Sequence, residues 1–299
     1  ATTPIVTNTL RIWSHDNFGE DLLINVRNGG IYYWDKTGGF ATRAVNLSSL
    51  SGSTSAPTIA KQIMVSDRDR HIIAFGCDTE ANPGVQDPLA IRFSSQESLT
   101  DWATTAANTA GELRLGSGSE IVSAVETRQQ ILVFTDESLY AMQFLGPPFT
   151  FGVNLVSENI TTMGPLSAVA VEDNVFWMGL KEFYVYGGTV QRLPCSVRDF
   201  VFDDFNLLQR EKIVAATNTA FSEIWWFYPS ASSDNNDRYV VYNYEQKVWY
   251  YGSLARSYWM DRGIFDNPIA AGPNNYLYTQ ESGFDDDGSA FTAYIESSQ

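Results

Sequence analysis

The side chains that could do chemistry in this chain are few and scattered. It has two histidines, two cysteines, 35 acids and 19 Lys and Arg. His15 lies in Trp13-Ser-His-Asp-Asn-Phe, which reads as a loop or turn, and His71 opens an apolar strand. Neither has a second His or Cys at ligand spacing, which argues against a zinc site. His15 beside Asp16 is a fragment of a triad at best, and a surface turn histidine explains it more simply. Cys77 and Cys195 cannot form a disulfide framework in 299 residues, so a reducing site of synthesis fits. Cys195, following Pro194, reads as a small buried apolar residue.

Carboxylates are abundant, so a glycosidase pair stays open. Asp285-Asp-Asp287 with Gly288 resembles part of a calcium loop, but the alternating ligands and terminal Glu are missing, and a solvated acidic turn is the simpler reading. An arginine triad for a carboxylate substrate would need clustered guanidiniums. Arg92, Arg128 and Arg192 are present, and nothing in their spacing singles them out. Gly187-Gly188 precedes no helix and so closes a hairpin instead of cradling a phosphate. The formal charge of −16 excludes a general nucleic-acid binder, which needs Lys and Arg against phosphates. Acid keeps a surface soluble. It would also let DNA pass without sticking.

The elements around these residues are strands. Ile131-Leu-Val-Phe-Thr-Asp-Glu-Ser-Leu-Tyr-Ala-Met142 aligns without a gap on Val175-Phe-Trp-Met-Gly-Leu-Lys-Glu-Phe-Tyr-Val-Tyr186. Each half joins an apolar strand to an aromatic one across a tight turn. Residues 22–27 and 31–35 flank Asn28-Gly-Gly, a strong hairpin signal. Similar strands start near 72, 131, 175, 224 and 269, at intervals of 50, 59, 44, 49 and 45 residues counted from 22. Such spacing predicts four-stranded blades. Small-residue strands at 121–125, 167–171 and 213–216 precede three of the aromatic pairs and suit the crowded innermost position. The long interval carries extra sequence at 94–118, a loop or added hairpin. The one candidate helix is 204–212, beside Phe200-Val-Phe202. The fold class is therefore all-β, a β-propeller of about six four-stranded blades, in a single domain over 1–299. No apolar run is long enough to span a membrane as a helix. The strand-like Phe291-Thr-Ala-Tyr-Ile295 so near Gln299 predicts a segment of a longer chain.

Enzymatic propellers of the sialidase type carry a Ser-x-Asp-x-Gly-x-x-Trp turn, and residues 93–102 end in Trp102 without the Asp and Gly. Leu145-Gly-Pro-Pro-Phe-Thr-Phe-Gly152 is different in kind. Two prolines fix an extended segment without backbone donors, and two phenylalanines follow in an exposed-looking setting. It reads as a linker between blades packed on the sheet, or as a contact with a neighbouring subunit. On the second reading Pro147, Pro148, Phe149 and Phe151 are the candidate subunit-contact residues.

Several long motifs carry a resemblance. Trp13-Ser-His-Asp-Asn-Phe-Gly-Glu-Asp-Leu-Leu23, Gly29-Gly-Ile-Tyr-Tyr-Trp-Asp35 and Phe144-Leu-Gly-Pro-Pro-Phe-Thr-Phe-Gly152 are similar to a structural tail protein family of tailed bacteriophages. So are Val175-Phe-Trp-Met-Gly179, Gln191-Arg-Leu-Pro-Cys195 and Asp237-Arg-Tyr-Val-Val-Tyr-Asn243. The likeness spans nearly the whole chain and resembles the tail nozzle or hub type. It implies a non-enzymatic virion component, made in the bacterial host cytoplasm and built into the tail. It implies self-assembly in a ring, commonly of six, and contact with other tail proteins such as an adaptor and tail fibre. It implies transient passage of DNA without sequence recognition. It implies no catalytic residue, metal, cofactor or membrane span. The alternatives are a propeller glycoside hydrolase and a glycan-binding receptor-recognition domain.

Overall fold

A computed structural model describes residues 10–285 and 288–290. The chain is all-β with the propeller fold class, in six antiparallel sheets. Five sheets have four strands, and the sixth has three among the described residues. Every sheet is an up-and-down meander in sequence order. The residues group into two compact units, Ala1–Cys195 and Ser196–Gln299.

The first unit holds four sheets. Sheet 1 contains β1 (Trp13–Phe18), β2 (Asp21–Val26), β3 (Ile31–Trp34) and β4 (Val45–Asn46). Sheet 2 contains β5 (Gln62–Val65), β6 (Ile72–Phe75), β7 (Ala90–Phe93) and β8 (Gly111–Arg114). Sheet 3 contains β9 (Ile121–Glu126), β10 (Ile131–Thr135), β11 (Ser138–Gly146) and β12 (Thr150–Glu158). Sheet 4 contains β13 (Ala168–Val171), β14 (Asn174–Met178), β15 (Phe183–Tyr186) and β16 (Val190–Leu193). The second unit has α1 (Arg198–Asp203), then a sheet of β17 (Val214–Asn218), β18 (Glu223–Tyr228), β19 (Arg238–Asn243) and β20 (Val248–Ser253). Its last sheet contains β21 (Tyr258–Met260), β22 (Ile269–Ala271) and β23 (Leu277–Thr279).

The strand starts read from the sequence are the second strands of these sheets. Of these, β6, β10, β14 and β18 are near-continuous apolar runs because both of their faces are covered. On β10, Ile131 and Val133 join the core formed with sheet 2, where Ile73, Phe75 and Ile91 lie. Leu132 and Phe134 point the other way, into the core shared with Val175 and Trp177 of sheet 4. Period-two alternation thus feeds two cores at once. In the second unit, Trp225, Phe227 and Trp259 stack in the equivalent core.

Neighbouring first strands are tied by side chains that satisfy backbone groups. Ile63 N donates to Ser14 Oγ at 3.1 Å, and Val65 N to Asp16 Oδ2 at 2.8 Å. The Gln62 amide accepts from Ala124 N at 2.9 Å and donates to Ala124 O at 2.7 Å. Partner numbers rise together, so β1, β5 and β9 run the same way. These strands have free ladder groups facing one another, and polar side chains fill the gap that a backbone ladder would otherwise close. The small strands β9 and β13 also lie side by side.

Much of the acidic charge is used structurally. Asp78 accepts from Thr58 N, Thr58 Oγ1 and Gly84 N at 2.7–2.9 Å. Asp136 binds Ser119 N and Oγ at 2.7 and 2.6 Å, and Asp237 binds Ser230 N and Oγ at 2.7 and 2.8 Å. Burial works against the Asp136 charge, but its hydrogen bonds outweigh burial and hold the carboxyl below the ordinary range.

Some expectations are corrected by the structure. His15 lies within β1, paired with Ile24, and is not in a turn. The α-helix covers Arg198–Asp203, so it includes Phe200-Val-Phe202 instead of following it, and Leu207–Lys212 is a kinked 3-10 segment. Cys195 is only half-buried, whereas Cys77 is fully buried. The extra sequence of the long interval is the connection 94–110 plus β8. Asp286, Asp287 and the 291–295 segment lie outside the described residues, and Asp285 accepts from Gly288 N at 2.9 Å.

Candidate functional site

The first and third connections of an up-and-down sheet lie at the same end. Because β1, β5 and β9 are parallel, those connections of sheets 1–3 share one end of the first unit. The first connection of sheet 2 is Ser66-Asp-Arg-Asp-Arg70 and that of sheet 3 is Thr127-Arg-Gln-Gln130. Both are tight, polar and internally bonded. Ser66 N donates to His71 O at 2.9 Å and Arg70 N to Ser66 O at 2.8 Å. Asp69 N donates to Ser66 Oγ at 3.2 Å. In the other turn, Thr127 N and Oγ1 both donate to Gln130 O, at 2.9 and 2.8 Å.

A small open cleft of about 20 Å³, the space of a single water, lies between these turns and the connection end of the β11–β12 hairpin. Arg68, Asp69, Arg128 and Gln129 line it above Phe144 and Phe151. Arg68 and Arg128 are exposed, and neither makes a close ion pair among the described residues. Behind the turns sit further acids. Glu126 Oε1 accepts from Asp67 N at 3.1 Å. Burial raises the Glu126 carboxyl to about 7, the Asp67 N–H opposes this, and the charges of Asp67, Asp16 and Asp69 push it further up. Asp16 and Asp69 are also raised, chiefly by burial.

His71 is fully enclosed beneath the cleft. Phe151, Phe144 and Phe93 surround its ring at centroid distances of 5.1, 5.8 and 6.3 Å. Its Nε2 meets Thr109 Oγ1 at 3.2 Å, and burial lowers its pKa to about 4. His71 is therefore a neutral core residue, and a proton acceptor this weak is poorly matched to base chemistry near neutral pH.

The four residues singled out from sequence are not a linker between blades. They form the connection and first residues of a hairpin within sheet 3. Gly146 takes φ +76°, Pro147 and Pro148 are exposed, and Phe149 is 72% exposed. Phe151 was expected at the surface and is only 3% exposed. It packs edge-on against Phe93 at 4.9 Å and Phe144 at 5.5 Å. Thr150, with φ +56°, reverses the chain so that Phe149 points out and Phe151 points in. Phe151 is thus the aromatic support of a cleft, and Phe149 alone of the pair is a surface group. The apolar tip also includes Leu145, which is exposed.

Of the three arginines weighed from sequence, only Arg128 reaches this cleft. Arg92 is buried in sheet 2, where it donates to Ser55 O at 2.6 Å and pairs with Glu112. Arg192 is exposed on β16. Trp102 is a buried core residue whose Nε1 donates to Leu99 O at 2.9 Å. Sequence reasoning missed Arg68, Asp69 and Glu126. The available signal was positional: two charged turns each follow the first strand of a sheet, so they meet in space though 60 residues apart.

No family model and no curated protein matches this chain. Among solved structures it is similar to the extracellular domain of BT4673 from B. thetaiotaomicron, with a TM-score of 0.55 and 10% identity over 96% of this chain. The chain spans about a third of that protein, 33%. It is also similar to the computationally designed Ika8 protein, with a TM-score of 0.52 and 10% identity over 88% of this chain and 69% of that one. At such identity the likeness concerns the fold alone.

Proposed function

We propose that this chain is a structural component of a phage tail, a nozzle or hub subunit that assembles in a ring around the path of DNA. One observation carries the reading: the β11–β12 hairpin, whose nine-residue strands end in an exposed apolar tip of Leu145, Pro147, Pro148 and Phe149. The other strands among the described residues have two to six residues. A stiff two-stranded arm with an aromatic end suits insertion into a neighbouring subunit, where a buried aromatic anchor supplies most of the contact energy. The motif resemblance adds the phage tail and the six-fold ring. The charge of −16 adds a reason for DNA to slide past without retention. Adaptor and tail fibre proteins are the further partners.

Native mass spectrometry and electron microscopy of the purified chain test the proposal. A closed ring in the wild type, reduced to monomers by Phe149→Ser with Leu145→Ser, is the expected result. A chain that stays monomeric at high concentration, or rings that tolerate both substitutions, overturns it.

A further inference from the structure

We propose that the β11–β12 hairpin is received by the outer strand β20 of a second copy, with the free edges of β12 and β20 lying side by side. The inference rests on the ring reading and names the surface that takes the arm. Every sheet has an outer strand with one side unpaired among the described residues. Such an edge invites pairing unless charge, proline or shortness protects it. β4 has two residues and β23 has three. β8 carries Glu112 and Arg114, and β16 carries Arg192. Among these outer strands only β12 and β20 exceed four residues. β12 has nine, with no charge before Glu158 at its end. The run Ser138–Ser157 that holds the rest of it is the longest in the chain without Asp, Glu, Lys or Arg. β20 has six residues and no charge.

Register fixes which backbone groups face out. Thr127 N donates to Gln130 O. Alternation from that pair across β9, β10 and β11 turns the Ala141 and Gln143 backbones to Asn154 and Gly152. The N–H and C=O groups of Val153 and Leu155 therefore point away from the sheet. Leu254 N donates to Asp237 O, so the same alternation on β20 points the groups of Tyr251 and Ser253 outward. None of these four backbones bonds outside its own sheet among the described residues. The side chains beside the edges also match. Leu155 is exposed on β12, as are Leu145 and Phe149 at the tip. Val248 and Tyr251 are exposed on β20, and Tyr251 packs on the exposed Phe200 at 4.2 Å.

Charge and symmetry favour a second copy. Each copy carries −16, and like-charged copies approach most easily where neither presents a charge. The two edges are different surfaces of one chain, so their contact is head to tail, the kind from which rings are built. A two-fold contact of β12 with itself would stop at a pair.

Hydrogen exchange resolved by residue and native mass spectrometry of the purified chain test this. On assembly the amides of Val153, Leu155, Tyr251 and Ser253 are expected to slow by at least about tenfold. Those of Gly152, Asn154, Tyr250 and Gly252, already bonded within their sheets, should change little. Leu155→Lys and Tyr251→Lys are each expected to give monomers, because each puts an ammonium in the seam. Mixed together they are expected to give a dimer and nothing larger, since one copy keeps the arm and the other keeps the receiving edge. Leu208→Lys, on an exposed residue away from both edges, is the control and leaves the ring intact. Melts that match wild type establish that the variants are folded. A ring whose Tyr251 and Ser253 amides stay fast, a ring that tolerates Tyr251→Lys, or a mixture that stays monomeric overturns this inference and leaves the ring reading standing. A wild-type chain that never assembles overturns both.

Discussion

Sheets 3 and 4 begin as copies and end as different objects. In both, the second and third strands pair in the same register, Ile131 with Met142 in one and Val175 with Tyr186 in the other. In both, the second strand is buried, and the third carries Tyr140 in one and Phe183, Tyr184 and Tyr186 in the other. They diverge at the residue after that pair. In sheet 4 the chain turns at once through Gly187 and Gly188, and a four-residue β16 returns. In sheet 3 the strand runs on through Gln143, Phe144 and Leu145 to Gly146, and β12 returns over nine residues. The shared part is what two packed sheets need. The added part carries the exposed tip on one side and the roof of the His71 enclosure and cleft floor on the other.

The largest effects belong to the shared part. Phe134 of sheet 3 meets Trp177 of sheet 4 edge-on at 5.1 Å, with both fully buried. Truncating either to Ala should cost about 3–5 kcal/mol in urea unfolding. The double variant should lose less than the sum by about 0.5–1.5 kcal/mol, the usual worth of an aromatic pair beyond burial. Strict additivity would mean that the two copies do not depend on each other through this contact.

Phe151→Ala probes the added part from inside. It removes a ring with 3% exposure and should cost about 3 kcal/mol or more. It also opens the enclosure around His71. An NMR titration should then find the imidazole moving up from about 4 towards its ordinary value near 6.5. A histidine that stays low in a destabilised Phe151→Ala variant would place its enclosure elsewhere than the hairpin.

What was legible in the sequence follows the same division. The paired strands were readable because double-sided burial writes a continuous apolar run, and the Asn28-Gly-Gly turn marks a hairpin by backbone preference alone, with Asn28 at φ +58°. The inward turn of Phe151 was not readable. It depends on one left-handed residue, Thr150, which no sequence pattern announces. His15 looked like a turn residue because its polar neighbours on β1 serve the next strand, a use visible only when β5 is placed beside it. The cleft failed for a related reason. Its residues come from two turns 60 residues apart that the sheet topology brings to one end. Helix limits shifted because 198–212 mixes an α-helix with a kinked 3-10 stretch, and local propensity does not separate the two.

A smaller effect comes from Glu126, at the inner end of the charged turns. Its folded value of about 7 exceeds the ordinary 4.5. Between those values the folded chain holds the proton more tightly than the unfolded chain does. Stability from this group therefore falls as pH rises from about 4.5 through 7 and levels above. His71 acts oppositely, since its folded value is about 4 and the unfolded chain binds its proton more readily up to about 6.5. Melting curves of wild type and Glu126→Gln across this range separate the two. The wild-type curve minus the variant curve should decline through the window, while the rising His71 contribution cancels. A flat difference would mean that Glu126 binds its proton no more tightly in folded sheet 3 than in the unfolded chain.

The smallest expected change in stability is at the tip. Phe149 is 72% exposed and has no aromatic contact among the described residues, unlike Phe40, whose exposed ring stacks on Trp34 at 5.7 Å. Replacing Phe149 with Ser should leave the unfolding midpoint within about 0.5 kcal/mol of wild type. A core role would cost several times more, and Phe151 two residues away supplies that scale within the same hairpin. Shortening the hairpin so that β11 stops at Met142, as β15 stops at Tyr186, is the stronger form of the same test. It should abolish any assembly while the Phe134–Trp177 contact still melts cooperatively. If the shortened chain loses its fold instead, the core cannot do without the Phe144 and Phe151 rings that the extension contributes to it, and sheet 3 differs from sheet 4 in stability before it differs in function.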